Sequence, residues 1–148
     1  MIAKFATKSK KEVYHPDVLY LTVNTKINSR FFDIIDVNKS IYANPTSGSI
    51  IMEEMSADNS YDFHLVPQLV NSGTATPTKY KVVYDDSKIP PEAIAEFTFE
   101  QCFNYYNWQG AIRVPSCLQN ANKLSKQMTE HLKENIKSVS LQQSFHFL

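Results

Sequence analysis

The sequence predicts a single α/β domain in which strands come first and helices after, the helices packed on a sheet. Two observations predict it. Four short β-branched or aromatic stretches lie before Pro90, and two segments with helical apolar spacing follow it. The length, 148 residues with 43% hydrophobic and 12% aromatic content, suits one domain with a core that needs no staples.

The elements are expected in order. Val18 to Val23 is nearly unbroken in apolarity, as a strand buried on both faces would be. Ser49 to Met52 follows the turn material Asn44-Pro45-Thr46-Ser47-Gly48. Phe63 to Leu69 follows Asp58-Asn59-Ser60, and Tyr80 to Tyr84 ends at Asp85-Asp86. Pro90-Pro91 then sets proline where a helix begins, with Glu92 in its first turn. Ala95, Phe99, Cys102, Phe103 and Tyr106 form one apolar stripe, and Glu92, Glu96 and Glu100 a separate solvated one. Pro115-Ser116 opens the second helix, with Leu118, Ala121, Leu124, Met128 and Leu132 facing inward and Asn122 beside that face.

Composition excludes several classes. The longest apolar runs are too short to span a bilayer, and lysines at 4, 8, 10 and 11 interrupt any secretory segment. Two cysteines, Cys102 and Cys117, make neither a disulfide framework nor a zinc set. The reading is soluble and intracellular, with no membrane partner. Only Gly48, Gly73 and Gly110 occur, which excludes a phosphate loop, a dinucleotide fingerprint and a G-x-S-x-G elbow. The sequon Asn38-Lys39-Ser40 is then idle.

Fifteen basic residues balance fifteen acidic ones, so no global field advertises a partner. The distribution is uneven. Residues 1–11 form a basic lead-in, open to helix, with four lysines and no acid. Asp85, Asp86, Glu92, Glu96 and Glu100 make an acidic stretch, and the segment from Gln109 to Lys137 is basic.

Several constellations carry alternative readings. Asp62 and His64 share one strand face, as an acid–base pair or as an edge pair at a strand start. Asp85-Asp86 suits a hard cation or a turn and helix cap. Cys102 belongs to the core; Cys117 lies near a helix start without an evident base. Tyr105, Tyr106 and Trp108 stand close before Arg113, with Lys123 and Lys126 further on. Aromatics beside cations at a helix start suit a phosphodiester backbone, or make a core cluster under a solvated lysine face. An amide at Asn122 beside an apolar face needs a hydrogen bond, or its burial costs about 1–3 kcal/mol.

The run Tyr105-Tyr106-Asn107-Trp108-x-Gly110-x-Ile112-Arg113-Val114-Pro115 closely resembles the Y-Y-N-W-P-G-x-I-R-V-P-A-P segment of Piwi-clade Argonaute proteins. Other pieces fall in the family's order. Val23-Asn24-Thr25-Lys26-Ile27-Asn28-Ser29-Arg30-Phe31-Phe32 resembles V-x-K-R-V-N-T-R-F-F, and Asn44-Pro45 with Gly48-Ser49-Ile50-Ile51 resembles N-P-x-x-G-T-V-I. Asp62-Phe63-x-Leu65-Val66-x-Gln68 and Ser72-Gly73-Thr74-x-Thr76-Pro77-Thr78-x-Tyr80 are similar to D-F-x-x-V-S-Q and G-T-V-T-P-T-H-Y. The terminal Phe145-His146-Phe147-Leu148 resembles the family's closing aromatic-aromatic-leucine, so the resemblance spans residues 12–148.

The resemblance implies the C-terminal half of a Piwi domain, a ribonuclease H-like fold that holds a small guide RNA and its target RNA. Active members cut with two metal ions held by Asp, Glu, Asp and then His or Asp. The first three would lie before Met1, in the N-terminal remainder of a Piwi protein, and the fourth aligns with Asn122 in Ala121-Asn122-Lys123-Leu124. Asparagine has neither imidazole basicity nor a carboxylate charge. The implied function is therefore RNA binding in RNA-mediated gene silencing without slicing, in cytoplasm or nucleus. The alternatives are a slicer endonuclease completed upstream, or a truncated paralogue acting through protein partners. Implied RNA contacts are Lys26, Arg30, Lys79 (where the family has His), Arg113, Gln119 and Lys123. The Leu148 carboxylate would help hold an ion, Mg2+ for example, at the guide's 5′ phosphate.

Overall fold

A computed structural model describes residues 16–53 and 60–132. Six strands precede two helices: β1 (Leu19–Asn24), β2 (Asp33–Asp36), β3 (Ile41–Ala43), β4 (Ser49–Met52), β5 (Tyr61–Val66), β6 (Thr78–Asp85), α1 (Pro91–Glu100) and α2 (Ser116–Gln127). The main sheet has the order β1-β6-β5-β4 with every pairing antiparallel, and β2 and β3 form a separate hairpin. The basic lead-in at 1–11, Leu132 as an inward-facing side chain and the 138–148 tail lie outside the described residues.

Side-chain alternation sorts the sheet into two faces. Tyr61, Phe63 and Leu65 of β5 and Tyr80 and Val82 of β6 share the face covered by α1, where they meet Ile94, Ala95 and Cys102. Phe63 and Tyr80 are cross-strand partners, and their rings stack 4.9 Å apart at 9°. Leu19, Leu21 and Val23 of β1 and Ile50 and Met52 of β4 extend this core to both sides. The opposite face carries Asp62 and His64 of β5 and Lys79 and Lys81 of β6.

The sequence misjudges which strand is covered on both sides. β1 alternates between half-buried and exposed residues because among the described residues it is an outer strand of the sheet, whereas β5 is buried almost throughout. β5 also starts two residues before the expected Phe63 and stops at Val66, since Pro67 has no N–H to continue the ladder. β6 runs longer than expected, from Thr78 to Asp85, because it is paired on both edges. The β2–β3 hairpin was not expected. Its turn is held by Asp36 Oδ1, which accepts from the N–H groups of Asn38 (2.9 Å) and Lys39 (3.2 Å).

α1 begins at Pro91 as the sequence predicts, with Pro90 in extended geometry before it. Its buried face is Ile94, Ala95 and Thr98, continued by Cys102, not the whole predicted stripe. The helix ends at Glu100 and the chain turns, so Phe103 and Tyr106 leave that face and are about half exposed. Burial pushes the Cys102 thiol up to about 12, which keeps it a protonated core residue. Gly48, at φ +88°, lets the chain turn into β4 where a Cβ would meet the Phe99 ring at 3.1 Å.

α2 is tied to the end of α1 by the Ser116 N–H, which donates to Gln101 O at 3.0 Å. It then continues into a π-type turn at Met128–Leu132. Its expected inner face is only half-buried at Leu118, Leu124 and Met128, and Ala121 is exposed. Asn122 is exposed as well, so its amide is open to solvent and the burial cost anticipated for it does not arise.

Candidate nucleic-acid interface

One end of the main sheet gathers much of the basic material. β1 leaves the sheet at Asn24, which pairs in register with Lys79 at the start of β6. The Thr78 hydroxyl donates to Arg113 O at 3.2 Å, and the Arg113 guanidinium donates to Thr25 O. Lys26 follows directly, exposed, with its N–H bonded to Asn24 Oδ1 at 3.0 Å. The Lys26 segment, the start of β6 and the stretch before α2 therefore meet.

The segment that carries Lys26 and Arg30 has no strand partner among the described residues. Arg30 folds back on it, donating from Nη1 to Ile27 O at 2.9 Å and Ser29 O at 2.7 Å. Opposite it, the stretch before α2 is firmly held. Ile112 N–H donates to Cys102 O at 2.8 Å, Gln68 Nε2 donates to Ala111 O at 2.8 Å, and Val114, Pro115 and Ser116 are buried. The 70–75 loop is fixed by Asn44, whose Oδ1 accepts from Ala75 N–H at 2.9 Å and whose Nδ2 donates to Gly73 O at 2.8 Å. Between this loop and Arg113 lies a small hollow of about 190 Å³, lined also by Gln68, Thr74 and Thr76.

Lys79 differs from the other cations. Its ammonium lies 2.7 Å from Asp62 Oδ2 and 3.3 Å from Glu53 Oε2, and these bonds, Asp62's first, raise its pKa. Its charge is balanced inside the protein. The same cluster includes His64, buried at 3% exposure, whose Nδ1 is 3.5 Å from Glu53 Oε1. That distance is too long to satisfy Nδ1 as a hydrogen bond, and it has no other partner among the described residues. The Phe31 ring packs edge-on against His64 at 5.1 Å. Asp62 and His64 do share a face, but they form part of a four-residue charge cluster rather than an isolated pair.

On α2, Gln119 is half-buried and one turn before Lys123. The Lys123 ammonium stands 5.4 Å from the Tyr105 ring centre and 5.6 Å from that of Tyr106. It also donates to Tyr106 Oη at 3.4 Å, and the Tyr105 and Tyr106 oxygens raise its pKa. Trp108, 62% exposed, helps line an open hollow of about 800 Å³ with Tyr106, Asn107, Gln109 and Gly110. Tyr105 alone of these aromatics is buried, so the cluster divides between core and surface.

Asp85 and Asp86 take the turn role. Asp85 Oδ1 accepts from the Ser87 N–H at 2.8 Å and the Ser87 hydroxyl at 2.6 Å, while Asp86 Oδ1 accepts from the Val18 N–H. Among the described residues no group of three or more His, Cys, Asp or Glu side chains is arranged to hold a metal ion. Among them, too, no helix is long and apolar enough to cross a membrane. Cys117 is exposed in the first turn of α2, and Leu148 lies outside the described residues.

A family model for the Piwi domain matches residues 1–133. Protein piwi of Drosophila melanogaster is 34% identical over 149 aligned positions, covering 100% of this chain and 17% of that protein. Protein argonaute-3 of the same organism is 33% identical over 129 residues, covering 87% of this chain and 14% of the relative. Piwi-like protein Ago3 of Bombyx mori is 42% identical over 112 residues, covering 76% and 12%. The crystal structure of Drosophila Piwi superposes with a TM-score of 0.73 at 35% identity, covering 90% of this chain and 18% of that one. A Kluyveromyces polysporus Argonaute solved with a guide RNA has a TM-score of 0.68 over 87% of this chain and 16% of its own, a likeness of fold at 19% identity. The chain belongs to the Piwi domain family, and its α/β fold is the ribonuclease H-like fold of that family. It spans less than a fifth of the length of these relatives.

Proposed function

We propose that this chain is the RNA-contacting part of a small-RNA-guided silencing protein, touching the guide backbone and 5′ end and working with the remainder of a Piwi protein. The observation that carries this reading is the meeting of Lys26, the start of β6 and Arg113 at one end of the sheet. Exposed cations beside a tied-down backbone suit phosphates, which fix register without reading sequence. Lys123 over two tyrosines, with Trp108 nearby, adds the aromatic and cationic surface that single strands favour. A guide RNA accompanies the Kluyveromyces polysporus Argonaute that shares this fold.

Cleavage is not part of the proposal. Asn122 is at the position where the resemblance implies a histidine, and its amide is a weak ligand that takes no proton at neutral pH. The test uses the full-length protein and a 5′-phosphorylated single-stranded RNA. Replacing Lys26 and Arg113 together by Gln lowers RNA retention and flattens its salt dependence; unchanged retention overturns the assignment. Incubation of the loaded protein with a matched target RNA and Mg2+ leaves the target intact, and a cut target overturns the non-slicing reading.

A further inference from the structure

We propose that Arg113 is a positioning residue: it holds the Lys26–Arg30 segment in place from the far end of the chain. The consequence for RNA rests on the proposed function; the positioning role itself does not. Among the described residues, 25–30 pair with no strand, so their carbonyls turn to side chains or water. Arg30 serves Ile27 O and Ser29 O from within the segment, and Arg113 serves Thr25 O from outside it. A hydrogen bond from a guanidinium is charge-assisted and stronger than a neutral one.

The two sides of this contact are unequal. Arg113 rises from a rigid base, with its own carbonyl held by Thr78, Ala111 held by Gln68 and Val114-Pro115 buried behind it. Lys26 stands on the softer side, one residue beyond the carbonyl that Arg113 grips. Fixing Thr25 therefore limits where the Lys26 ammonium can go. A guanidinium has five N–H donors, so the grip on Thr25 O does not exhaust them, and Arg113 also lines the neighbouring hollow.

If Arg113 only touched phosphate, replacing it would remove one contact. As a positioning residue, it takes the Lys26 contact with it. Arg113→Gln, Lys26→Gln and the double variant are made in the full-length protein, with Arg113→Lys as a conservative control. Amide exchange is read without RNA, and affinity for a 5′-phosphorylated single-stranded RNA is read across salt. Arg113→Gln speeds exchange in residues 25–30 while β5 stays protected, and Arg113→Lys restores part of the protection. The salt slope falls by about 1.4, two single-strand phosphate contacts rather than one. The double variant then loses less than the product of the two single fold-losses.

Unchanged exchange in 25–30, or exchange raised in β5 as well, overturns the proposal. So do fully additive losses. A wild-type chain that binds no RNA while its 25–30 exchange still responds to Arg113→Gln removes the proposed function and leaves the positioning role standing.

Discussion

Lys79 reaches diagonally across β5 and β6 to place its ammonium 2.7 Å from Asp62 Oδ2, on the sheet face turned away from α1. The strand partner of Lys79 is His64 and that of Asp62 is Lys81, so the pair crosses the register instead of following it. Glu53, just past the end of β4, adds a second carboxylate and ties the outer strand to the centre of the sheet.

A cation with two carboxylate partners has little charge left for RNA. Lys79→Gln is expected to change affinity for 5′-phosphorylated RNA less than Lys26→Gln does. It also leaves Asp62 and Glu53 facing each other, at a cost of about 1 kcal/mol in stability. Urea unfolding alongside RNA titration checks both. An affinity loss equal to that of Lys26→Gln would mean that Lys79 abandons its carboxylates for phosphate.

His64 makes stability depend on pH. Burial chiefly lowers its pKa below 6.5; Glu53 and Asp62 oppose this, Lys79 reinforces it, and the Phe31 ring covers the imidazole. The unfolded chain therefore takes up this proton more readily than the folded one. The contribution of neutral His64 is complete above about pH 6.5 and declines as pH falls below that value. Urea midpoints between pH 8 and pH 5 should fall more steeply for the wild type than for His64→Phe. Parallel curves would assign the slope to other groups.

Within the core, Tyr80 is fully buried and its hydroxyl has no partner among the described residues. Burial drives its pKa far up, so the group is neutral at any physiological pH. Tyr80→Phe keeps the stack on Phe63 and removes an orphan hydroxyl, with an expected gain of up to about 1 kcal/mol. Phe63→Ala opens a cavity under the same ring and costs about 3–5 kcal/mol. Thermal melts of the two variants should move in opposite directions. A loss in Tyr80→Phe would show that the hydroxyl is served by a buried water.

The features legible in the sequence are those set by neighbouring residues. Ser49–Met52 was readable because a turn precedes it, and α1 because Pro90-Pro91 and Glu92 mark its start. The meeting of Lys26 with Arg113 was not legible, since nothing in their spacing joins them, whereas Arg113 and Lys123 stood out beside Tyr105, Tyr106 and Trp108. Two features escape a local reading for one cause. Val18 to Val23 looks like a central strand, yet its neighbours in the sheet decide its burial, and among the described residues it has one. The ion pair of Lys79 likewise depends on a strand neighbour, since β5 brings Asp62 beside it. The β2–β3 hairpin left a local signal that went unread, Asp36 two residues before Asn38 between isoleucines. Asn122 was misplaced because helical spacing says which residues share a face, not how deeply that face is covered.

The strand order has a consequence for how the chain assembles. β4, β5 and β6 lie side by side in the order in which they occur, so each can pair with its predecessor across a short connection. β1 finds its partner only after everything from Asn24 to Thr78 has been laid out, and closing that loop carries the larger entropic cost. Among the described strands of this sheet, β1 thus has the longest loop to close before it is seated. Until it arrives, β6 offers a bare row of amides and carbonyls to whatever extended chain is near, so a molecule delayed at this step is open to the wrong partner.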